Sequence, residues 1–140
     1  MRSVSAFVYA DAMSTTPPSL QDLIALAERA LAAIPERFRL HARPIAVVVE
    51  DMADDETLDA MGIESGYDLT GLYRGTPMPL ASVTAPAPEP DMILLYREPI
   101  LLEWIETGED LYKLVHSVLV HELAHHFGFS DADIAALESA

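Results

Sequence analysis

The chain has 140 residues, the size of one compact domain. Its 23 acidic residues outnumber its 8 basic ones, and the formal net charge of -15 disfavours nucleic-acid binding because phosphates repel such a surface. Lys113 is its only lysine, which excludes a polybasic membrane anchor, and the lack of cysteine excludes disulfides, thiolate zinc sites and cysteine nucleophiles. We expect a single domain over residues 1–140, cytoplasmic and monomeric, with no segment that spans a membrane. Residues 1–18 are expected to form an irregular leader, and the alternative for their first part is a short strand.

Two elements are predicted in the first third of the chain. Ser19 is an expected N-cap, with Asp22 three residues later in the position of a capping box. Apolar residues then recur at three- and four-residue steps, which predicts an amphipathic helix over residues 19–34, ended by Pro35. The apolar, β-branched run Ile45–Val49 predicts a buried strand.

The middle of the chain predicts short elements and a long loop. The acidic stretch from residue 50 to 56 opens a short helix that continues to Met61, and the glycine-containing residues 62–71 predict a loop. A short strand is expected at Leu72-Tyr73-Arg74. Residues 77–90 contain five prolines, which excludes a regular helix or a central strand and indicates a surface loop that serves as a site wall or lid.

The last third predicts a strand and three helices. Met92–Arg97 is the expected strand, and Pro99 separates it from a short helix over Ile100–Thr107. A long helix is expected over residues 109–127, where acidic residues favour its start and Gly128 its end. A short helix over Ala132–Leu137 follows.

The long helix carries the sequence His121-Glu122-Leu123-Ala124-His125. In a helix, His125 lies about 40° from His121 around the axis and one turn later, so both imidazoles can converge on one ion. Glu122 lies about 100° away, beside the histidines, where a carboxylate can accept a proton from water without binding the metal. These residues predict a metal site with Glu122 as the general base.

The rest of the same helix is apolar on nearly all sides, so we expect it to be buried. Burial of two imidazoles and a carboxylate within one turn is costly unless they are paired or bind a metal, which favours the metal site over a solvated or accidental motif.

A catalytic zinc site needs a third protein ligand and leaves one position to water. Only fifteen residues follow His125, and Gly128 can bend the chain after the helix. Asp131, three residues beyond that glycine, is the expected third ligand. Asp133 and Glu138 are alternatives, and Asp131 could instead be the N-cap of the final helix.

The extended motif from His121 to Asp131 resembles that of the zincin metallopeptidases, with Asp where metzincins have their last histidine. A closer resemblance is to the small bacterial proteins described as minimal zincin-like metallopeptidases. It includes the early helix, the Val47–Glu50 strand, the Gly71–Pro77 segment and the Leu95–Arg97 strand. The resemblance implies an α+β zincin-like fold, with a small mixed sheet packed on the active-site helix. It also implies one zinc ion on His121, His125 and Asp131, with Glu122 as the base.

Other polar residues have weaker patterns. His126 points about 100° away from His125 and is expected to support the site by hydrogen bonding or to lie at the helix end. His116 is expected to be structural, and His41 lies in a connecting loop. Arg74, Tyr73 and Tyr96 are candidate donors to a developing oxyanion, although tyrosines in short strands are more often core or rim residues.

In zincin-like folds an edge strand beside the zinc helix receives an extended peptide, and Met92–Arg97 is the expected strand here. The leading hypothesis is a zinc-dependent peptidase acting on a peptide or protein. Two alternatives stay open, namely another zinc hydrolase such as a metal-dependent ribonuclease, and a domain that binds zinc without catalysis. Manganese or nickel also accept two imidazoles and a carboxylate.

Overall fold

The computed structural model describes residues 16–36, 45–75 and 91–129, together with residues 132, 134 and 135. Several sequence predictions lie outside these residues and stay predictions. They concern the leader up to residue 15, His41, the proline-rich loop 77–90, and the acidic residues Asp131, Asp133 and Glu138.

The first helix, α1 (Leu20–Ala33), begins at the predicted capping box. The Ser19 hydroxyl accepts a hydrogen bond from the Asp22 N–H at 3.1 Å, and the Asp22 carboxylate accepts one from the Ser19 N–H at 2.8 Å. These bonds satisfy two N–H groups that have no partner within the helix. The helix is followed by Ile34 in an extended conformation, directly before Pro35.

Three strands form one mixed sheet, namely β1 (Ile45–Glu50), β2 (Gly71–Arg74) and β3 (Asp91–Tyr96). Their order in the sheet is β1-β3-β2. β1 runs parallel to β3, with Ile45 opposite Asp91, whereas β2 runs antiparallel to β3, with Gly71 opposite Leu95.

β3 is the central strand, so the prediction that Met92–Arg97 offers an edge to a peptide is wrong. Pairing with β1 and β2 occupies both of its edges. Four consecutive residues, Ile93–Tyr96, are buried, which is typical of a strand covered on both faces. In the part of the chain that the structure describes, the sheet edges belong to β1 and β2.

Two helices lie between the strands or follow them directly. α2 (Asp55–Met61) is capped by Asp54, whose carboxylate accepts a hydrogen bond from the Thr57 N–H at 2.8 Å. The predicted loop after α2 contains one 3₁₀ turn at Gly66–Asp68. α3 (Arg97–Thr107) begins two residues before Pro99, earlier than predicted, because a proline in the first helical turn has no hydrogen bond to lose.

The last long helix is α4 (Leu111–Phe127). Asp110 is its N-cap and accepts a hydrogen bond from the Lys113 N–H at 3.0 Å, while Gly128 ends it with a φ of 70°. Ala132, Ile134 and Ala135 are helical, and Ile134 is buried against the main core.

The sheet has a different apolar cluster on each face. On one face Ile93 and Leu95 pack against α1 and α4, in the larger cluster. On the other face Leu94 and Tyr96 pack with Leu58 of α2. The result is a small mixed sheet packed on the motif helix, which confirms the predicted α+β class. Among the described residues, no helix is both long and apolar enough to cross a membrane.

Candidate metal centre

Two exposed imidazoles lie one turn apart on α4. The rings of His121 and His125 meet edge to face, with their centroids 5.1 Å apart. Both side chains are exposed, although α4 buries most of its other faces. The expectation that the imidazoles would be buried is therefore wrong, since the apolar character of the helix comes from its other faces.

Glu122 lies on the neighbouring stripe of α4, between these imidazoles and the sheet. Its side chain is half-buried, and this burial raises the pKa of the Glu122 carboxyl above its usual value. The nearby rings of His125 and His121 oppose the shift, as does a hydrogen bond that the backbone N–H of Tyr73 donates to the carboxylate. The Glu122 carboxylate thus lies beside the two histidines, and a backbone hydrogen bond from β2 holds it there.

The register of β2 explains why its backbone can reach Glu122. The Thr70 carbonyl accepts a hydrogen bond from the Tyr96 N–H at 2.9 Å, so Thr70 and Tyr96 form a hydrogen-bonded pair. Antiparallel pairs alternate, so the N–H and carbonyl groups of Gly71 and Tyr73 point away from β3. The Tyr73 N–H therefore faces outward at the strand edge, where Glu122 lies.

β2 and α4 approach each other closely at Gly71. A Cβ at this position would lie 2.7 Å from Val118 Cγ1 and 3.2 Å from Glu122 Cγ. Val118, Glu122 and His126 are spaced four residues apart and form the stripe of α4 that faces β2. Glycine at position 71 allows this stripe to contact the strand backbone.

His126, the last member of this stripe, is fully buried and belongs to a polar cluster. Its Nδ1 lies 3.1 Å from the Tyr73 hydroxyl and 3.3 Å from the Asp91 carboxylate, whose side chain is also buried. Sequence reasoning missed Asp91, because a single acidic residue at the start of an apolar strand resembles a loop residue. That His126 supports the site remains a prediction, and this contact is consistent with it.

The other candidate donors lie in different places. Tyr73 turns its hydroxyl towards His126, whereas Tyr96 is buried on the sheet face opposite α4. Arg74 is exposed and lies close enough to Asp54 and Tyr96 to affect their pKa values. The structure therefore does not bring Tyr96 or Arg74 together with the His121–His125 pair. His116 lies beside Tyr112, with ring centroids 6.0 Å apart, in agreement with a structural role.

The donor set of this site fits a metal ion. His121, Glu122 and His125 each offer a ligand atom, and these atoms lie within 4.8 Å of one another. Imidazole nitrogens and a carboxylate oxygen are ligands that zinc accepts. Because both imidazoles are exposed, an ion can reach them from solvent. The residues present therefore fit a zinc ion held by His121 and His125, with Glu122 beside it.

Comparison with known proteins identifies the family of the chain. No curated protein matches it. Among solved structures, the chain is similar to a conserved hypothetical protein from Thermo thermophilus, with 23% sequence identity and a TM-score of 0.49. The similarity covers 79% of this chain and 94% of that chain. The family model described as zincin-like metallopeptidase matches residues 42–140, which is more than half of the sequence. The chain therefore belongs to the zincin-like metallopeptidase family.

Proposed function

We propose that the protein is a zinc-dependent peptidase that hydrolyses peptide bonds with Glu122 as general base and acid. The observation that carries this proposal is the His121–Glu122–His125 group, whose ligand atoms lie within 4.8 Å of one another in a chain of the zincin-like family. Asp131 is the proposed third ligand on its spacing from His125. Three ligands leave one position for water or substrate, as catalytic zinc sites require.

Zinc, when bound, supplies a Lewis acid that acidifies water near neutral pH and polarises a carbonyl group. Glu122 accepts the proton of the attacking water and delivers it to the nitrogen of the leaving amine. In the metal-free protein, burial raises the pKa of the Glu122 carboxyl, which makes this group a stronger proton acceptor than an exposed carboxylate. The charge of a zinc ion beside it acts in the opposite direction. The Tyr73 N–H keeps the carboxylate beside the imidazoles during the proton transfer.

The strand that faces the site is β2, and we propose that an extended peptide adds to it. In the described part of the chain β2 pairs with β3 alone. Gly71 points its backbone N–H and carbonyl away from β3, on the side where Glu122 lies, and it is the residue of β2 proposed to pair with the peptide. The N–H of Tyr73 is not part of this pairing, because it donates to the Glu122 carboxylate. Backbone hydrogen bonds to a sheet edge bind peptides without regard to sequence, so any selectivity would come from side-chain pockets.

The test measures the zinc content of the purified protein and its cleavage of a peptide library. We expect about one zinc per chain, lost in His121→Ala and His125→Ala. Glu122→Gln should keep the zinc and lose cleavage by about a hundredfold or more. His116→Ala, on the same helix but beside Tyr112, is the matched control and should keep both zinc and cleavage.

Three results would contradict the proposal. Full cleavage by zinc-loaded Glu122→Gln would exclude Glu122 as the base. Degradation of RNA but not of peptides would indicate a zinc ribonuclease, which the net charge of -15 disfavours. A fourth protein ligand on the zinc would indicate a structural ion.

A further inference from the structure

Three elements meet in one polar cluster beside the candidate metal centre, formed by the buried Asp91 of β3 and His126 of α4 and by the partly buried Tyr73 of β2. The Tyr73 hydroxyl and the Asp91 carboxylate converge on the same ring nitrogen, at 3.1 and 3.3 Å from His126 Nδ1. Asp91 and His126 are the buried polar or charged residues of the described chain. Burial of such a pair is costly, which favours a role for it beyond packing.

The end of β2 is built around this cluster. A Cβ at Gly75 would overlap the Asp91 carboxylate and would lie 2.9 Å from the Tyr73 hydroxyl. The backbone at Gly75 therefore lies directly against both groups, with a φ of 155° that disfavours other residues. The cluster joins the end of β2 to the end of α4.

The same stretch of β2 contacts Glu122 on the preceding turn of α4. Tyr73 thus makes two contacts with one helix stripe, since its N–H donates to Glu122 and its hydroxyl contacts His126. Glu122 and His126 are four residues apart and so lie on the same side of α4, one turn from each other. The contact of the Tyr73 hydroxyl with His126 therefore sets where the Tyr73 N–H lies along the helix, next to Glu122. If the cluster were lost, Tyr73 could shift and Glu122 would lose its donor.

We propose that Tyr73 is a positioning residue for Glu122, and that Asp91 and His126 hold Tyr73 in place for this task. The inference rests on the proposed function for its catalytic meaning, but the positioning itself is a property of the metal-free protein. It predicts that changes at Asp91 or at the Tyr73 hydroxyl loosen the Tyr73 N–H while the zinc ligands keep their positions.

The first test is amide hydrogen exchange of the metal-free protein, followed by NMR. We expect Asp91→Asn and Tyr73→Phe to lower the protection factor at position 73 by about tenfold, to the level in Glu122→Ala, which lacks the acceptor. The amide of Leu72 is the internal control, because it points towards β3 and should keep its protection. Tyr67→Phe, at an exposed tyrosine, is the matched control and should change neither amide.

The second test uses the zinc-loaded protein. In Asp91→Asn and Tyr73→Phe we expect kcat to fall by about tenfold, with KM and zinc affinity within about threefold of the wild-type values. If Asp91→Asn does not fold, Tyr73→Phe alone decides both tests, since it keeps the ring and the N–H.

The outcomes separate this inference from the proposed function. Wild-type protection at position 73 in the folded variants would overturn the inference, whatever the activity. A loss of zinc affinity by tenfold or more would also overturn it, since the cluster would then act on His125 rather than on Glu122. If the wild-type protein cleaves no peptide, the exchange result still decides whether Tyr73 positions Glu122.

Discussion

The close approach of β2 to α4 predicts a specific cost for Gly71→Ala. The new methyl group would lie 2.7 Å from Val118 Cγ1, 3.2 Å from Glu122 Cγ and 3.3 Å from the Leu94 carbonyl oxygen. Val118 is buried and β-branched, so in a helix it has essentially one χ1 rotamer and cannot turn aside. Either the strand or the helix must move.

Insertion of a methyl group into such a packed site costs about 1–3 kcal/mol of unfolding free energy. The lower chain entropy of the unfolded alanine variant offsets about 0.5 kcal/mol of this. At about 4 °C per kcal/mol for a domain of this size, the loss corresponds to a fall in Tm of roughly 2–10 °C. Since Glu122 is displaced and the two histidines are not, we expect zinc binding to remain and cleavage to fall.

Guanidinium denaturation of the metal-free protein measures this cost, and Gly66→Ala is the matched control. A Cβ at Gly66 would meet Met52 Sδ at 2.6 Å, but that atom is near the end of a flexible side chain that can move away. We expect Gly66→Ala to stay within about 0.5 kcal/mol of the wild type.

A double-mutant cycle with Val118→Ala identifies the contact. In that background Gly71→Ala should cost at least about 1 kcal/mol less, since the clashing methyl group is gone. The reasoning would be refuted if Gly71→Ala were as mild as Gly66→Ala, or if the losses of the two single variants simply added.

Three further predictions concern the ligands and the pH dependence. His121→Ala and His125→Ala should each change the unfolding free energy of the metal-free protein by less than about 0.5 kcal/mol, because both side chains are exposed. In differential scanning fluorimetry, saturating zinc should raise the Tm of the wild type and leave the Tm of both variants unchanged. Asp131→Ala should weaken zinc binding in a chelator competition assay and Asp133→Ala should not, whereas the reverse result would identify Asp133 as the ligand. Burial, followed by the charge of Glu50, raises the pKa of Tyr96 above 10.0, so the folded state favours the neutral phenol. The resulting stability is complete below about pH 10 and is lost as pH rises through the folded-state pKa, so alkaline denaturation should be steeper in the wild type than in Tyr96→Phe.

Local signals in the sequence predicted most of the helices and the grouping of His121, Glu122 and His125 on one helix. Helix ends depend on local chemistry. The side chains of Ser19 and Asp110 accept hydrogen bonds from the first N–H groups of their helices, and Gly128 ends α4 in a left-handed conformation. None of these three residues needs a contact with a distant part of the chain. The motif histidines converge for the same reason, since their spacing alone places them one turn apart.

The features that the sequence did not predict depend on contacts between distant elements. A six-residue apolar strand has the same hydrophobic pattern whether it lies at the centre or at the edge of a sheet. The sequence therefore did not predict that β3 is the central strand. Likewise, Asp91 and His126 are far apart in the chain, and neither has a neighbour that indicates the other. The exposure of His121 and His125 was also missed, because it depends on which faces of α4 the sheet and α1 leave uncovered.

The geometry of α4 explains how the proposed base and the proposed metal ligands can be positioned independently. His121 and His125 form one stripe and remain open to solvent, whereas Glu122 and His126 form a second stripe, about 100° away, that faces β2. A contact with the second stripe can therefore fix the carboxylate without covering the imidazoles. This contact needs a strand whose backbone comes near the helix, and glycine at position 71 allows that approach. It also needs an outward N–H that reaches the carboxylate. Because backbone groups point outward at every second residue of a strand, the next such N–H after Gly71 is that of Tyr73. The short segment from Gly71 to Gly75 therefore packs closely against the motif helix. If the proposed function holds, substitutions within this segment should lower peptide cleavage before they weaken zinc binding.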